Sequence, residues 1–219
     1  EPACRGPRGC GACYMDRMVH IISDMTRGRP LEFDPENAVD AAMDVFWCKG
    51  YEATSLNDLL HAMDLSKSSF YQAFGSKPQL FKRCLLRYQE RFTGELGGNL
   101  KRARSGRRFI EDVFRFVANT AQEPAGAKGC LVGNSANEFG QRDAVFAKPV
   151  AQGLRGLGDL FKAALKRAQS EGDVAADVDI NAMASYLVSA MTGLRTIIKS
   201  GLDKRTAQSM VPLILAAVK

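Results

Sequence analysis

The side chains of this sequence that could do covalent chemistry are its six cysteines and two histidines. A cysteine nucleophile needs a neighbouring base or a positive field that stabilises the thiolate. His61 has no cysteine at contact spacing, and no carboxylate pair or phosphate-binding loop can be placed on adjacent positions. We therefore predict that the protein is not an enzyme, and we keep a thiol catalyst that uses Cys130, or Cys10 with Cys13, as the alternative.

Cys10-Gly-Ala-Cys13, with Cys4 and His20 nearby, has the spacing at which two thiolates can share a zinc ion. A second C-x-x-C pair is missing, so we predict no metal and keep zinc as the alternative. Residues 1–28 are rich in Gly, Cys and Pro, and we interpret them as a flexible N-terminal extension. Cysteines within helical patterns, in a sequence without a signal peptide, are typical of a reducing compartment, which predicts a cytoplasmic protein.

The sequence offers hydrogen bonding and charge in the polar run Ser66-Lys67-Ser68-Ser69. Ser66 is a good helix N-cap, and the helical pattern that it opens extends from Lys67 to Phe74. The spacing of Phe70, Tyr71 and Phe74 predicts the buried side of this helix. The hydroxyls and the lysine ammonium group should therefore lie together on an exposed face.

Three neighbouring helices must position this face. Thr54 and Ser55 are N-cap residues of a preceding helix whose apolar residues are Leu56, Leu59, Leu60 and Met63. Asp64-Leu65 interrupts the helical pattern, and Ser76-Lys77-Pro78-Gln79 has the capping-box spacing that opens a following long helix. Upstream, Asp34-Pro35 starts a helix that ends at Gly50. The arrangement predicts a three-helix helix-turn-helix head, whose last helix has the size and polarity to enter a DNA major groove.

The segment from Arg29 to Arg87 resembles the DNA-binding domain of the tetracycline-repressor (TetR/AcrR) family of bacterial regulators. The matching motifs are T-S-x-x-D-L, S-K-S-S-F-Y and F-x-S-K, which stand in one register. Asp64 departs from the family pattern, which usually has glycine there, and we expect a positive φ at this turn residue.

The resemblance implies a ligand-responsive repressor that binds a palindromic double-stranded DNA operator as a homodimer. It implies DNA contacts from the following residues: Arg27, Arg29, Thr54, Ser66, Lys67, Ser68, Ser69, Tyr71 and Lys77. Among these, Tyr71, Lys77 and Thr54 are expected to contact phosphates, Thr54 at a helix N-terminus. Short serine side chains specify few bases, so we expect sequence preference to depend on Lys67, water and DNA shape.

The composition sets the limits of the rest of the chain. The 219 residues are 46% hydrophobic and 25% charged, with a net charge of +6, which is ordinary for a globular protein. No apolar run reaches the roughly 20 residues of a membrane span, so we expect no membrane partner. Helical periodicity predicts an all-α protein of about nine helices. We place the DNA-binding head at residues 29–76 and a larger ligand-binding and dimerisation domain at residues 77–219.

The effector of such a regulator should be an apolar or aromatic small molecule that binds in the larger domain, and no cofactor is expected. The candidate pocket residues are drawn from the inner helical stripes: Phe109, Val113, Phe116, Cys130, Phe139, Phe146, Leu157, Phe161, Tyr186 and Met191. Cys130 lies at the start of a short helix, where unpaired N–H groups favour a thiolate. An electrophile that modifies Cys130 is therefore an alternative effector, and a buried apolar role for Cys130 is the other interpretation.

Overall fold

The computed structural model of the protein describes residues 33–139 and 144–219. Helices are the regular elements of these two stretches, which confirms the predicted all-α class. In chain order they are α1 (Pro35–Lys49), α2 (Leu56–Met63), α3 (Lys67–Phe74), α4 (Lys77–Arg102), α5 (Gly106–Asn119), α6 (Pro124–Lys128), α7 (Leu131–Phe139), α8 (Ala144–Ser170), α9 (Ile180–Lys199) and α10 (Lys204–Leu215).

Serine side chains begin α2, α3 and α4, as the sequence predicts. Ser55 accepts a hydrogen bond from the Asp58 N–H, and the Asp58 carboxylate accepts from the Ser55 N–H, so the two residues form a complete capping box. Ser66 accepts from the Ser69 N–H at the start of α3, and Ser76 accepts from the Gln79 N–H at the start of α4. Each cap satisfies a backbone donor that the first helical turn leaves free.

Helix α4 continues through Gly97 and Gly98 to Arg102. The side chain of Arg167 on α8 stabilises its end by donating to the Leu100 and Ala103 carbonyl oxygens, at 2.8 and 3.0 Å. A cation that binds the last carbonyls of a helix also interacts favourably with the helix dipole. This contact between distant segments outweighs the helix-weakening effect of Gly97 and Gly98.

The larger part of the protein is a helical core built mainly from α5, α8, α9 and α10. Gly106 allows α5 to approach α8 closely, because a Cβ there would lie 2.1 Å from the Ala164 carbonyl oxygen. The stretch after α5 forms the five-residue helix α6. The last two long helices, α9 and α10, bury one face against this core and leave the other exposed.

Candidate nucleic-acid interface and effector cavity

The turn between α2 and α3 has the backbone geometry that the sequence predicts. Asp64 has φ 52° and ψ 49°, in the left-handed region, and its N–H donates to the carbonyls at the end of α2. Ser66, two residues later, is extended and caps α3. A turn of three residues therefore joins the two helices, as in a helix-turn-helix.

Helix α3 has one buried face and one polar face. Phe70 and Phe74 are 0% and 4% exposed, whereas Ser66, Lys67 and Ser68 are exposed. The Ser66 hydroxyl lies 2.9 Å from the hydroxyls of both Ser68 and Ser69, so the three serines form one hydrogen-bonding group. These side chains and the Lys67 ammonium group are free to meet base edges or phosphates.

Tyr71 lies on the exposed side of α3, so the prediction that it marks the buried side is wrong. Its side chain is 47% exposed, while its ring contacts the edge of Phe70 at a centroid distance of 5.3 Å. Exposure of the phenol is what a phosphate contact requires.

Lys77 and Thr54 differ in the exposure of their side chains to solvent. Lys77 is partly exposed at the start of α4, and its Nζ lies 4.3 Å from the centre of the Tyr51 ring. Thr54 is 1% exposed, and its hydroxyl donates to the Gly50 carbonyl at 2.5 Å. The structure therefore corrects the expectation for the Thr54 side chain, which fixes the loop between α1 and α2 instead of facing outwards.

Arg27 and Arg29 lie outside the described residues, as does the Cys4, Cys10, Cys13 and His20 group.

A carboxylate clamp joins the loop between α1 and α2, next to the helix-turn-helix, to the end of α7. Glu138, at the end of α7, accepts hydrogen bonds from the backbone N–H groups of Tyr51 and Glu52, at 3.1 and 2.8 Å. Gly50 makes room for this carboxylate: its φ is +84°, and a Cβ there would lie 3.3 Å from a Glu138 oxygen. Nothing in the sequence around Glu138 indicates this role.

An aromatic cluster lies beside the clamp. The Tyr51 ring contacts those of Phe81, Phe139 and Phe146 at centroid distances of 5.0, 5.3 and 4.9 Å. Phe139 and Phe146, which the sequence places in the effector pocket, are instead buried in this junction with the head. They line neither of the two cavities described below.

Ion pairs also connect α1 with α4. Arg87 pairs with Asp40 and Glu36, and Arg91 pairs with Asp40 at 2.7 Å. The hydrogen bond from Arg87, followed by that from Arg91, lowers the pKa of Asp40 below its usual value, although partial burial opposes the shift. A further ion pair joins Lys128 of α6 to Asp44 of α1 at 2.9 Å.

The larger cavity lies between α4 and α5 and reaches α1 and α9, with a volume of about 1010 Å³. Three of the predicted pocket residues line it, namely Phe109, Val113 and Phe116. The sequence reasoning missed four other wall residues: Trp47, Tyr88, Phe92 and Arg195. In the sequence, Arg195 is distinguished only as the one charged residue of α9 that precedes the last helical turn.

A smaller cavity of about 20 Å³ contains three further predicted residues, Cys130, Leu157 and Met191. The Cys130 Sγ lies immediately before α7 and accepts hydrogen bonds from the Tyr88 hydroxyl at 3.7 Å and the Gly133 N–H at 3.4 Å. Burial, with the nearby Cys130 as the next cause, raises the pKa of Tyr88, so its hydroxyl is protonated and can donate. Arg195 lines this cavity as well as the larger one.

The two remaining predicted pocket residues lie elsewhere. Phe161 is 1% exposed within the helical core, where its ring stacks on Phe114. Tyr186 is 40% exposed on the outer side of α9. Helical periodicity identifies an apolar stripe but does not say which neighbour covers it.

Comparison with known proteins agrees with this geometry. The family described as "Bacterial regulatory proteins, tetR family" matches residues 38–84, and "Tetracyclin repressor-like, C-terminal domain" matches residues 106–211. An uncharacterised HTH-type transcriptional regulator of Bacillus subtilis (strain 168), YezE, is 32% identical over 192 residues, which cover 87% of this chain and 99% of the relative. The chain belongs to the TetR family of transcription regulators. Its α2–α3 unit is the helix-turn-helix of that family.

Other TetR-family proteins are similar over most of the chain. The HTH-type transcriptional repressor ComR of Escherichia coli (strain K12) is 28% identical over 80% of this chain and 84% of its own length. Among solved structures, a cysteine mutant of the TetR-family regulator CifR in complex with 26-base-pair operator DNA has a TM-score of 0.78. It is 29% identical, and the match covers 87% of this chain and 100% of that one.

Family membership also decides between the two functional hypotheses. TetR-family proteins are transcription regulators and not enzymes, which excludes the thiol catalyst. No group of three potential metal ligands occurs among residues 33–139 and 144–219. None of the helices in these stretches is long and apolar enough to cross a membrane.

Proposed function

We propose that this TetR-family regulator is a ligand-responsive repressor that binds a palindromic operator as a homodimer in the cytoplasm. A small-molecule effector in the larger cavity releases it from DNA. The observation that carries the proposal is that the wall of this cavity includes Met43 and Trp47 of α1, so an occupant contacts the DNA-binding head directly.

The exposed face of α3 supports the DNA-binding part of the proposal. Lys67 is the longest donor on this face and is assigned to a base edge or an adjacent phosphate, together with Ser66, Ser68 and Ser69. Tyr71 and Lys77 flank the face and are assigned to phosphates. Serines reach few base edges, so sequence preference should depend largely on Lys67, water and DNA shape.

The outer faces of α9 and α10 support homodimerisation. Tyr186 and Leu213 are 40% and 73% exposed. The other exposed residues on these two outer faces are small, with short side chains or none: Ala182, Ser185, Ser189, Gly193, Ala216 and Ala217. Such a surface lets two helices from each copy pack closely into a four-helix contact. Two heads held about 34 Å apart would then meet successive major grooves.

Selection from randomised DNA duplexes with the purified protein tests the proposal. We expect an inverted repeat to be enriched, and sedimentation velocity to show one dimer bound to it. Leu213→Glu should yield a monomer with much weaker operator binding, whereas Glu90→Gln, on the exposed side of α4, should not. Enrichment of no sequence, or of a single half-site bound by a monomer, would contradict the proposal.

The environment of Cys130 favours an alternative means of release, in which an electrophile alkylates this thiol. The Tyr88 hydroxyl and the Gly133 N–H both donate to Sγ, so this thiol lies in a polar setting and is held in one orientation. An adduct is much larger than the cavity of about 20 Å³, so it would displace α7, and with it the Glu138 clamp on the head.

Cys130→Ser should then keep operator binding but lose its release by iodoacetamide. Cys48→Ser, which removes a different, exposed thiol, is the control. Iodoacetamide should release it from the operator at the same dose as the wild type. If wild type and Cys130→Ser leave the operator at the same reagent dose, the effector is a reversible ligand and not an electrophile.

A further inference from the structure

Within residues 33–139 and 144–219, Arg195 is a cation without an anionic partner. Its Nη1 donates to the Gly129 carbonyl at 3.3 Å, and its guanidinium carbon lies 5.5 Å from the centre of the Phe92 ring. Its Nε is buried and has no hydrogen-bond acceptor. None of the ion pairs among the described residues includes Arg195. Charges withdrawn from water are normally paired, because desolvation is costly.

The other cations on the wall of the larger cavity do have partners. Arg91 pairs with Asp40, Lys128 pairs with Asp44, and Arg102 donates to the Asn99 side chain at 2.9 Å. The acidic residues on the wall are Glu95 and Asp112, so four cations face two carboxylates. Asp112 is in turn paired with Arg108 at 3.0 Å. Among the described residues, Arg102 and Arg195 are therefore the cations of this wall without a carboxylate partner, and Arg195 is the one of these two with a buried Nε that has no acceptor.

A second polar group on the same wall lacks a partner. The indole Nε1 of Trp47 is buried and has no acceptor in the part of the chain that the structure describes. Trp47 is linked to the region of Arg195 by aromatic contacts, since its ring meets Tyr88 at 5.0 Å and Tyr88 stacks on Phe92 at 5.8 Å. The rest of the wall is largely apolar and includes Leu96, Phe109 and Val113. The cavity thus offers hydrogen-bond donors and positive charge against an apolar surface.

We infer that the larger cavity binds a carboxylic acid with an apolar or aromatic body, and that its carboxylate pairs with Arg195. A guanidinium group matches a carboxylate in planar geometry and retains its charge at all relevant pH values. The body of the acid lies along Phe92 and Phe109, and Trp47 is left to donate to an acceptor atom on the ligand. This inference rests on the proposed function, because it names the chemical class of its effector.

The position of Trp47 provides a direct way to measure occupancy. It is the only tryptophan of the chain. Fluorescence excited at wavelengths that tryptophan absorbs and tyrosine does not therefore reports on the cavity wall. Octanoate and 4-phenylbutanoate are suitable probes, because neither absorbs at the long-wavelength edge of the tryptophan band, where the fluorescence is excited. Their primary amides, octanamide and 4-phenylbutanamide, match them in size and shape but carry no charge.

The wild type should bind each acid at least roughly tenfold more tightly than its amide, the size expected for one charge-assisted contact. Arg195→Met keeps an apolar stem, and it should bind the acid and the amide equally. Arg155→Met removes an exposed arginine on α8 and should retain the preference of the wild type. The comparison of acid with amide in the wild type needs no variant, so it stands even if Arg195→Met does not fold.

Equal affinity for acid and amide, no binding of either acid, or a preference that persists in Arg195→Met would overturn the inference. The same acids should release the wild type from its selected operator at lower concentrations than the amides do. A wild type that binds an operator without any acid preference contradicts this inference alone. A wild type that selects no DNA but prefers the acids contradicts the proposed function and leaves the acid site in place.

Discussion

Replacing Glu138 with alanine should loosen the DNA-binding head from the larger part of the protein. The Glu138 carboxylate is the acceptor for the N–H groups of Tyr51 and Glu52, which follow α1 and precede the helix-turn-helix. Alanine removes both hydrogen bonds and leaves the Tyr51 N–H, which is partly buried, without its acceptor. The aromatic contacts of Tyr51 with Phe139 and Phe146 remain, so we expect loosening and not separation.

The size of the effect follows from the two contacts. A hydrogen bond to a charged group contributes roughly 1.5–3 kcal/mol, and an exposed one contributes at the low end or below. The contact to Tyr51 is partly buried and the contact to Glu52 is exposed. Together they predict a loss of about 2–3 kcal/mol in the free energy of unfolding for Glu138→Ala. Glu138→Gln keeps one acceptor oxygen and should lose about half of this.

Urea unfolding and amide hydrogen exchange provide the assay. Glu138→Ala should lower the urea midpoint and speed exchange at the Tyr51 amide while leaving exchange in α8 unchanged under conditions of local opening. Glu90→Ala is the matched control, because this glutamate is exposed on α4 and its side chain makes no hydrogen bond among the described residues. If Glu138→Ala and Glu90→Ala have the same midpoint and the same Tyr51 exchange rate, the clamp does not hold the head.

Two further predictions concern the head. Asp64→Gly should raise the free energy of unfolding by up to about 1 kcal/mol, because Asp64 has φ 52° and glycine adopts this region without steric cost; a lower melting temperature would contradict this. Asp40 has a lowered pKa in the folded protein, so its contribution to stability is present above the unfolded value of about 3.9 and is lost as the pH falls through the folded value. The stability difference between wild type and Asp40→Asn should therefore be constant at neutral pH and shrink below about pH 4, and a difference that is independent of pH would refute the role of Asp40.

The head could be predicted from the sequence because local chemistry determines it. Ser55, Ser66 and Ser76 each cap a helix within a few residues of their own position, and the capping spacing can be read directly. The positive φ of Asp64 could likewise be anticipated, since the family that this segment resembles usually has glycine at the position. The error at Tyr71 arose because a helix of eight residues has too few apolar positions to define the width of its buried face.

The junction and the cavity depend on contacts between distant segments, which periodicity does not reveal. Glu138 is 86 residues from Glu52, and neither residue differs from an ordinary surface glutamate in the sequence. The apolar stripes of the larger part predict which residues turn inwards. They do not separate the core residue Phe161 from the cavity residue Phe109, because both face the interior. The role inferred for Arg195 depends on its having no ion pair among the described residues, which the sequence alone does not show.

The most direct test of DNA recognition by α3 is the salt dependence of binding to the selected operator, measured by fluorescence anisotropy. Lys67→Ala should weaken binding and reduce the slope of log affinity against log salt by about 0.9 for each head, since one counterion-releasing contact is lost. Lys166→Ala, an exposed lysine on α8, should keep both the affinity and the slope of the wild type. If Lys67→Ala also keeps the affinity and the slope of the wild type, Lys67 is not at the DNA interface and the proposed binding face of α3 is wrong.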